Sequence, residues 1–423
     1  VVFQCDAFHA APGERVALWG PSGCGKSTIL AAITRCLGVD QDAGKLIFVP
    51  SDFSASAGAP PEIVLELTLS ERAGKPWPSA WISQLGPVIT RDGRRARQIR
   101  LRVLANLDPA TGRIDAAHCF VDASGTELPD SRNGELLSAL RRLSPVLALG
   151  RNQSKLARAF RDLLPRGGAE MEPGSPVRLM TLGLERAASW AEHWDSLTPE
   201  QIKAGGAAAQ QLWQRSLEQF ASRWGQGTNR RSAIFPGSGV QRIIPLLWLR
   251  AVLEARGPGA LDPGSLPIMI LDHIEADLHP NMLRAMWYAV QSAPCQKIVT
   301  TYSGDLLAEV PLEGLRRLVR HRGVSIHGLE ERTLSFTDRR KLEYHIRARR
   351  GGLLFSRCWL LVEGETEFWL LPEFARICGV DLYAEGVNCV EFAQCGVKPL
   401  IKLAGALGIR WHQIGRASCR ERV

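Results

Sequence analysis

Hydrophobic and polar positions change texture several times along the chain. A short apolar run, Val16-Ala-Leu-Trp19, gives way to a glycine-rich stretch and then to apolar positions three and four apart. This predicts a buried strand over 15–19, a loop over 20–28 and a helix through about residue 36. Residues 1–8 read as an earlier strand, separated by a turn at Pro12-Gly13. Alternation over 63–69 predicts a half-buried strand, and 98–107 and 116–121 read as two more. From Glu135 to Trp224 the strand signal fades. Helical spacing appears at 152–164, 177–194 and 199–224, broken by Gly and Pro clusters, so this part reads as a helical insertion or arm. Strand–helix alternation then returns. It gives a helix over 240–255, a strand over 268–271, a helix over 280–292 and a strand over 297–301. A separate run follows: strand 358–362, helix 365–378, strand 389–392 and helix 397–407.

The expected fold class is therefore α/β. A first α/β unit spans 1–134 and resumes over 231–350 around the helical segment 135–230, and a second α/β unit covers 351–413. Composition sharpens this only slightly. With 423 residues, 45% apolar and 22% charged, the chain is an ordinary globular one with room for about two to four domains. No apolar run approaches the ~18 residues of a membrane span, so no membrane partner is expected. Ten cysteines are scattered without a paired spacing, which suits thiols in a reducing, cytoplasmic setting better than disulfides or a zinc site. The net charge of +9 permits a polyanionic partner.

Both ends read as edges of a fragment. Residue 1 is Val, with no start Met before the first strand. The last ten residues, Ile414 to Val423, read IGRASCRERV; this resembles the translation of a sequencing adapter, and 414–423 is expected to lie outside the fold.

Gly20-Pro-Ser-Gly-Cys-Gly-Lys26-Ser27-Thr28 fits GxxxxGK[ST] between a strand and a helix. Such a loop turns its backbone N–H groups toward phosphate oxygens at a helix N-terminus. Gly20, Ser22, Gly23, Gly25, Lys26, Ser27 and Thr28 are thus candidate nucleotide ligands. Lys26 would reach the β- and γ-phosphates, and Ser27 would hold Mg²⁺. An ATPase also needs an acid at the end of a buried strand, and Ile268-Met-Ile-Leu-Asp272 supplies it. His273 and Glu275 follow. Upstream, Pro236-Gly-Ser238-Gly239 opens a helix, and Thr300-Thr-Tyr302-Ser303 lies downstream.

In this order the motifs resemble the ABC-type ATPases of the SMC and RecF kind. The resemblance implies that Ser238 and Gly239 contact the nucleotide of a second protomer, so a homodimer is expected. It also marks two departures. The class places a carboxylate directly after the strand Asp, where this chain has His273, and a switch histidine where this chain has Tyr302. The expectation is slow hydrolysis, or help from Glu275; an imidazole also serves as a base near neutral pH. The rival reading of His273, Asp277 and His279 as a metal cluster stays open, although their spacing does not put all three on one helical face.

In Cys358-Trp-Leu-Leu-Val-Glu363-Gly-Glu-Thr-Glu367 a hydrophobic strand ends in Glu-Gly, and another acid sits on the opening turn of a helix. This resembles the start of a TOPRIM domain, which implies that Glu363 and Glu367 bind Mg²⁺ or Mn²⁺, hard ions suited to carboxylates. The bare alternative is a strand–turn–helix with solvated acids at a helix N-terminus.

An ABC-type head followed by TOPRIM resembles the overcoming-lysogeny-defect family of ATP-dependent endonucleases. The resemblance implies ATP and Mg²⁺ as cofactors and DNA as a partner, contacted without sequence preference. It further implies a strand ending in Asp-x-Asp, expected to begin just after Trp411-His412, where the adapter-like tail begins; as written, the chain is expected not to cleave DNA. Two arginine-rich stretches, 91–102 and 315–350, are candidate phosphate contacts, with solvated surface as the ordinary alternative. Two other functions remain in view. One is a RecF/SMC-like DNA clamp that uses ATP as a switch, and the other is an ABC-transporter ATPase subunit.

Overall fold

The computed structural model describes residues 15–37, 48–53, 61–71, 76–91, 96–129, 131–149, 262, 264–273, 275, 280–291, 293–321, 323–330, 333–348 and 351–414. Two compact units emerge. The described residues of the first fall within Ser27–Ile298, and those of the second within Arg15–Lys26 and Val299–Val423. Both are α/β. Among the described residues no helix is long and apolar enough to cross a membrane.

In the first unit, an antiparallel sheet is built around β4 (Arg97–Leu107). β2 (Glu62–Ser70), β3 (Thr90–Arg91) and β5 (Ile114–Val121) all pair with it. Ile99, Leu101, Val103 and Ala105 of β4 are fully buried, as the period-two pattern of a sheet with one covered face requires. On the other face the arginines have partners inside the sheet. Arg100 contacts Glu66 and donates to the carbonyls of Asp122 and Ala123, both at 2.8 Å. Arg102 lies 3.5 Å from Glu66 and donates to Gly125 O, while Arg97 pairs with Glu71 at 3.2 Å. Three arginines of the basic run 91–102, namely Arg97, Arg100 and Arg102, thus form an internal ladder of cross-strand contacts.

The expected helical segment 135–230 needs a second correction. Its opening holds α3 (Asn133–Leu143) and then β6 (Val146–Leu149), which pairs in parallel with β7 (Ile268–Asp272). A four-residue, wholly apolar parallel strand, Val-Leu-Ala-Leu, shows no alternation, so it leaves little trace in sequence. Residues 151–261, with the helices expected at 152–164, 177–194, 199–224 and 240–255, lie outside the described residues, as does the strand expected at 1–8. α1 (Lys26–Leu37), α2 (Ser79–Leu85) and α4 (Pro280–Gln291) complete the named helices here. The indole of Trp81 stacks on Trp77 and donates to Gly264 O at 2.9 Å, closing α2 against the chain that leads into β7.

In the second unit, β1 (Arg15–Trp19) pairs in parallel with β9 (Leu315–Arg320), and β10 (Val324–Gly328) returns antiparallel to β9. The sequence reading placed no strands in 315–328, because three arginines obscure the alternation. β8 (Gln296–Thr300) leads to α5 (Gly304–Glu309), which Ser303 caps by accepting the Leu306 N–H. α6 (Phe336–Ala348) follows, stopped by Gly351 at φ 62. A Cβ at Gly351 would strike the Gly304 carbonyl, so the turn needs glycine twice over.

The last elements form a parallel three-stranded sheet. β11 (Cys358–Val362) is central, with β12 (Val387–Glu391) on one side and β13 (Arg410–Gln413) on the other. α7 (Glu365–Ile377) and α8 (Val397–Ala406) are the crossovers. The third strand, expected just after Trp411-His412, already begins at Arg410 and contains both residues.

Arg317 ties β9 to this sheet. It is 7% exposed, and its guanidinium donates to Leu407 O at 3.1 Å, Gly408 O at 2.7 Å and Ser356 O at 3.1 Å. A planar fork with five donors suits three converging carbonyls as lysine would not. Arg317→Met keeps the length and leaves those carbonyls without their donor. It is expected to cost about 2–4 kcal/mol, read as a lower urea midpoint; an unchanged midpoint would show that the three bonds carry no net stability.

Candidate nucleotide and carboxylate sites

The phosphate loop owes its shape to local sterics. Gly20 follows β1 at φ 151, and a Cβ there would run into the Leu318 carbonyl of β9. Only glycine lets the loop leave the strand that close to its neighbour. Arg320, at the end of β9, donates to the Gly23 carbonyl at 3.1 Å and steadies the loop from outside. Ser22, Gly23, Ser27 and Thr28 are exposed, whereas Cys24 and Lys26 are buried.

Lys26 is 3% exposed. Its ammonium donates to Gly20 O and Pro21 O, both at 2.9 Å, and to the phenol of Tyr302 at 3.1 Å. It also lies 4.1 Å from the centre of the Tyr302 ring. Hydrogen bonds from Lys26, first, and from Ser22 hold the Tyr302 phenol below its ordinary pKa. The residue at the expected switch position therefore rests on the lysine that a phosphate needs. Sequence reasoning marked Tyr302 as a departure from a pattern and did not foresee this contact.

On the first unit's side, the Ser27 hydroxyl donates to Asp272 at 3.1 Å. A hydroxyl and a carboxylate side by side form the hard oxygen set that suits Mg²⁺. β7 delivers Asp272 because Ile268, Met269, Ile270 and Leu271 are all buried, so the chain first meets solvent at the acid. Next comes His273 at φ 51, the one left-handed non-glycine among the described residues. For an L-residue that conformation costs about 1–2 kcal/mol, and such strain gathers at functional positions. The turn sets the imidazole between two acids, Nε2 3.7 Å from Asp272 and Nδ1 3.8 Å from Glu275. Asp277 and His279, the other members of the rival metal cluster, lie outside the described residues, as do Ser238 and Gly239.

At the sheet of β11, Glu363 stands exposed directly past the strand. Glu367 is on the first turn of α7, where it accepts the Gly364 N–H at 3.3 Å. This one bond satisfies the Gly364 N–H at the helix start. The structure adds a third acid that sequence reasoning missed. Glu391 ends β12 in register with Val362, so it finishes at the same sheet edge as Glu363. Its only sequence signal is its place at the end of an apolar strand. Among the described residues no three acids, histidines or cysteines stand close enough to form a metal-binding group.

In the second arginine-rich stretch, 315–350, several of the described arginines make internal contacts. Arg317 and Arg320 are engaged as described, Arg316 donates to Glu313 O and Leu315 O, and Arg339 pairs with Glu313.

Lys26→Ala is expected to abolish nucleotide binding in an equilibrium titration; unchanged affinity would remove the phosphate-loop assignment. Tyr302→Phe takes one acceptor from Lys26 in the nucleotide-free loop. ATP binding is expected to tighten by about 0.5–1.5 kcal/mol, roughly two- to tenfold, and a weaker or equal affinity in calorimetry would contradict this.

Three segments match family models. Residues 4–62 match an ABC transporter model. Residues 207–352 match a protein of unknown function, DUF2813, and 354–415 match the TOPRIM domain of overcoming lysogenization defect protein-like sequences. The chain is 32% identical over 431 residues to the uncharacterized protein YbjD of Escherichia coli strain K12, an alignment covering 93% of this chain and 74% of that one. A solved SMC head bound to the C-winged helix domain of ScpA aligns at 15% identity with a TM-score of 0.41, covering 76% of this chain and 91% of that one. An ATPase segment of ABC type at one end and an OLD-like TOPRIM domain at the other, together with the extended match to YbjD, mean that the chain belongs to the overcoming lysogenization defect family.

Proposed function

We propose that ATP binding and hydrolysis by this chain are coupled to metal-dependent cleavage of DNA in a homodimer whose TOPRIM domain is complete. The observation that carries the reading is the carboxylate edge of the β11 sheet. Glu363 stands just past the central strand, Glu391 ends the neighbouring strand in register, and Glu367 opens the crossover helix. Two acids at the ends of neighbouring parallel strands, with a third on the opening turn of the crossover helix, are hard oxygen ligands of the kind that divalent cations take.

In the ATPase, Lys26 and the loop N–H groups would neutralise the phosphates. Ser27 and Asp272 would hold Mg²⁺, which would supply positive charge against the charge developing on the phosphate. His273 would take a proton from the attacking water through Nε2, with Glu275 steadying Nδ1. Water oxygen then bonds to the γ-phosphorus as the β–γ bridging bond breaks, leaving ADP and phosphate. Ser238 and Gly239 would reach the nucleotide of the second protomer.

At the TOPRIM edge Glu363 would lie beside the scissile phosphate. Water attacks phosphorus, the bond to one ester oxygen breaks, and that oxygen leaves with a proton. Divalent ions held by these carboxylates would supply Lewis acidity and charge stabilisation there. Mg²⁺ is the expected ion, with Mn²⁺ as its substitute.

His273 supports a second reading, an ATP-switched DNA clamp of the RecF/SMC kind. An imidazole in place of the class carboxylate suits a protein that holds ATP longer than it turns it over. Steady-state phosphate release separates the two readings. His273→Ala is expected to lower turnover at least tenfold with ATP affinity kept; equal, near-zero turnover in both forms would favour the clamp.

The nuclease reading has its own test. In a chain carrying a complete TOPRIM domain, Glu363→Ala is expected to abolish Mg²⁺-dependent nicking of plasmid DNA while ATP hydrolysis continues. Nicking that survives the substitution would remove Glu363 from the metal site.

A further inference from the structure

α6 presents two unlike faces. Ser335 starts it, its hydroxyl accepting the Asp338 N–H at 3.1 Å. Leu342, His345 and Ile346 are buried, and α6 packs on α5 and α8. At 100° per residue these three positions, with Asp338 and Arg339, fill the inward half of the helix. The outward arc holds Phe336, Thr337, Arg340, Lys341, Tyr344 and Arg347, all exposed. It therefore carries three cations, two aromatic rings and no acid; Asp338 and Glu343 are only partly exposed and lie to the side. Phe336 is 78% exposed and Tyr344 69%.

A solvated helix face ordinarily interleaves Glu with Lys and does not leave two large rings in water. Phe336 and Tyr344 are two turns apart, about 12 Å along the axis, with Arg340 one turn from each. Arg347 also anchors the helix, its Nε donating to Ala308 O at 3.3 Å. Arg340 and Lys341 extend from the open side.

We infer that this face of α6 binds single-stranded nucleic acid, its rings stacking on unpaired bases and its cations following the phosphates. Rings and cations in alternation are the general means of holding a single strand without reading its sequence. A duplex keeps its base faces stacked inside and gives the two rings nothing to cover. A protein partner would call for aliphatic anchors as well as aromatic ones, and the two large aliphatic residues of α6, Leu342 and Ile346, are buried.

The position is apt. α8, on which α6 packs, is a crossover of the β11 sheet. Burial raises the pKa of Cys395, in the loop between β12 and α8, and the nearby charge of Lys341 partly offsets this. Lys341 thus lies close to the loop that follows Glu391. A strand on α6 would run toward the carboxylate edge. The inference names the polymer that the nuclease reading leaves open and rests on that reading only for its use, because binding is measured apart from cleavage.

The test is fluorescence anisotropy with a labelled oligothymidylate and with a hairpin duplex of equal length, in chelator and without nucleotide. The chain is expected to bind the single strand more tightly. The double variant Phe336→Ala/Tyr344→Ala is expected to lose roughly tenfold or more in single-strand affinity and to leave duplex affinity unchanged. Phe336→Tyr/Tyr344→Phe is expected to restore binding, since it keeps both rings. Arg340→Ala/Lys341→Ala is expected to flatten the salt dependence by about 1.4 in log–log slope, two phosphates' worth for a single strand.

Both positions are exposed, so circular dichroism is expected to show every variant folded. Single-strand affinity unmoved by the alanine pair, or a preference for duplex, would overturn the inference. So would loss of self-association in sedimentation with DNA affinity intact, which would make the face a contact between copies. Because the assay holds no metal, a failed cleavage reading leaves its outcome untouched.

Discussion

One buried guanidinium organises the second unit. Arg317 extends from β9 and gathers carbonyls from two places: the turn after α8 and the chain just before β11. Carbonyls at such sites have few other donors, and an unmatched one in the interior is costly. The strand beside the phosphate loop and the sheet that carries Glu363 are thus held by shared hydrogen bonds as well as by packing. β9 also sets the loop from its other end, since Leu318 crowds Gly20 and Arg320 holds Gly23. A single strand therefore touches the mouth of the phosphate loop and the base of the carboxylate sheet.

The same economy explains why the arginines mislead when read as composition. Arg97, Arg100 and Arg102 hold carboxylates and turn carbonyls of their own sheet, and Arg316, Arg317 and Arg339 do likewise in the second unit. Positive charge counted along the chain overstates what is free to meet a polyanion. What remains open on α6 is small and mixed with aromatic rings, which narrows the kind of polymer it suits.

Much of the fold was legible. The strand at Cys358–Val362 coincides with the expectation, and β1, β2, β4, β7, α7 and α8 agree to within two residues at either end, while α1 begins three residues earlier than expected. These elements have clear periodicity or sharp flanking glycines. β6 was hidden because four apolar residues in a row carry no period. β9 was hidden because an arginine at a buried strand position looks like an arginine on a surface. For the candidate sites, spacing pointed to Lys26, Ser27 and Asp272, and resemblance to Glu363 and Glu367; of these, Ser27 and Asp272 do meet. The partnership of Lys26 with Tyr302 and the placement of Glu391 beside the Glu363 edge are long-range facts of register, which no local pattern encodes.

The left-handed turn at His273 bears on how this site can change over generations. Only glycine, and to a lesser degree asparagine and aspartate, take that conformation at little cost. Replacing His273 by the glutamate typical of related ATPases would set a side chain of ordinary helical preference on a backbone that resists it. Reversion would then take more than a codon: the turn between Asp272 and Glu275 would have to relax into another shape. The histidine and the backbone under it form an epistatic pair, so a lineage that acquired both would not readily retrace its steps one substitution at a time.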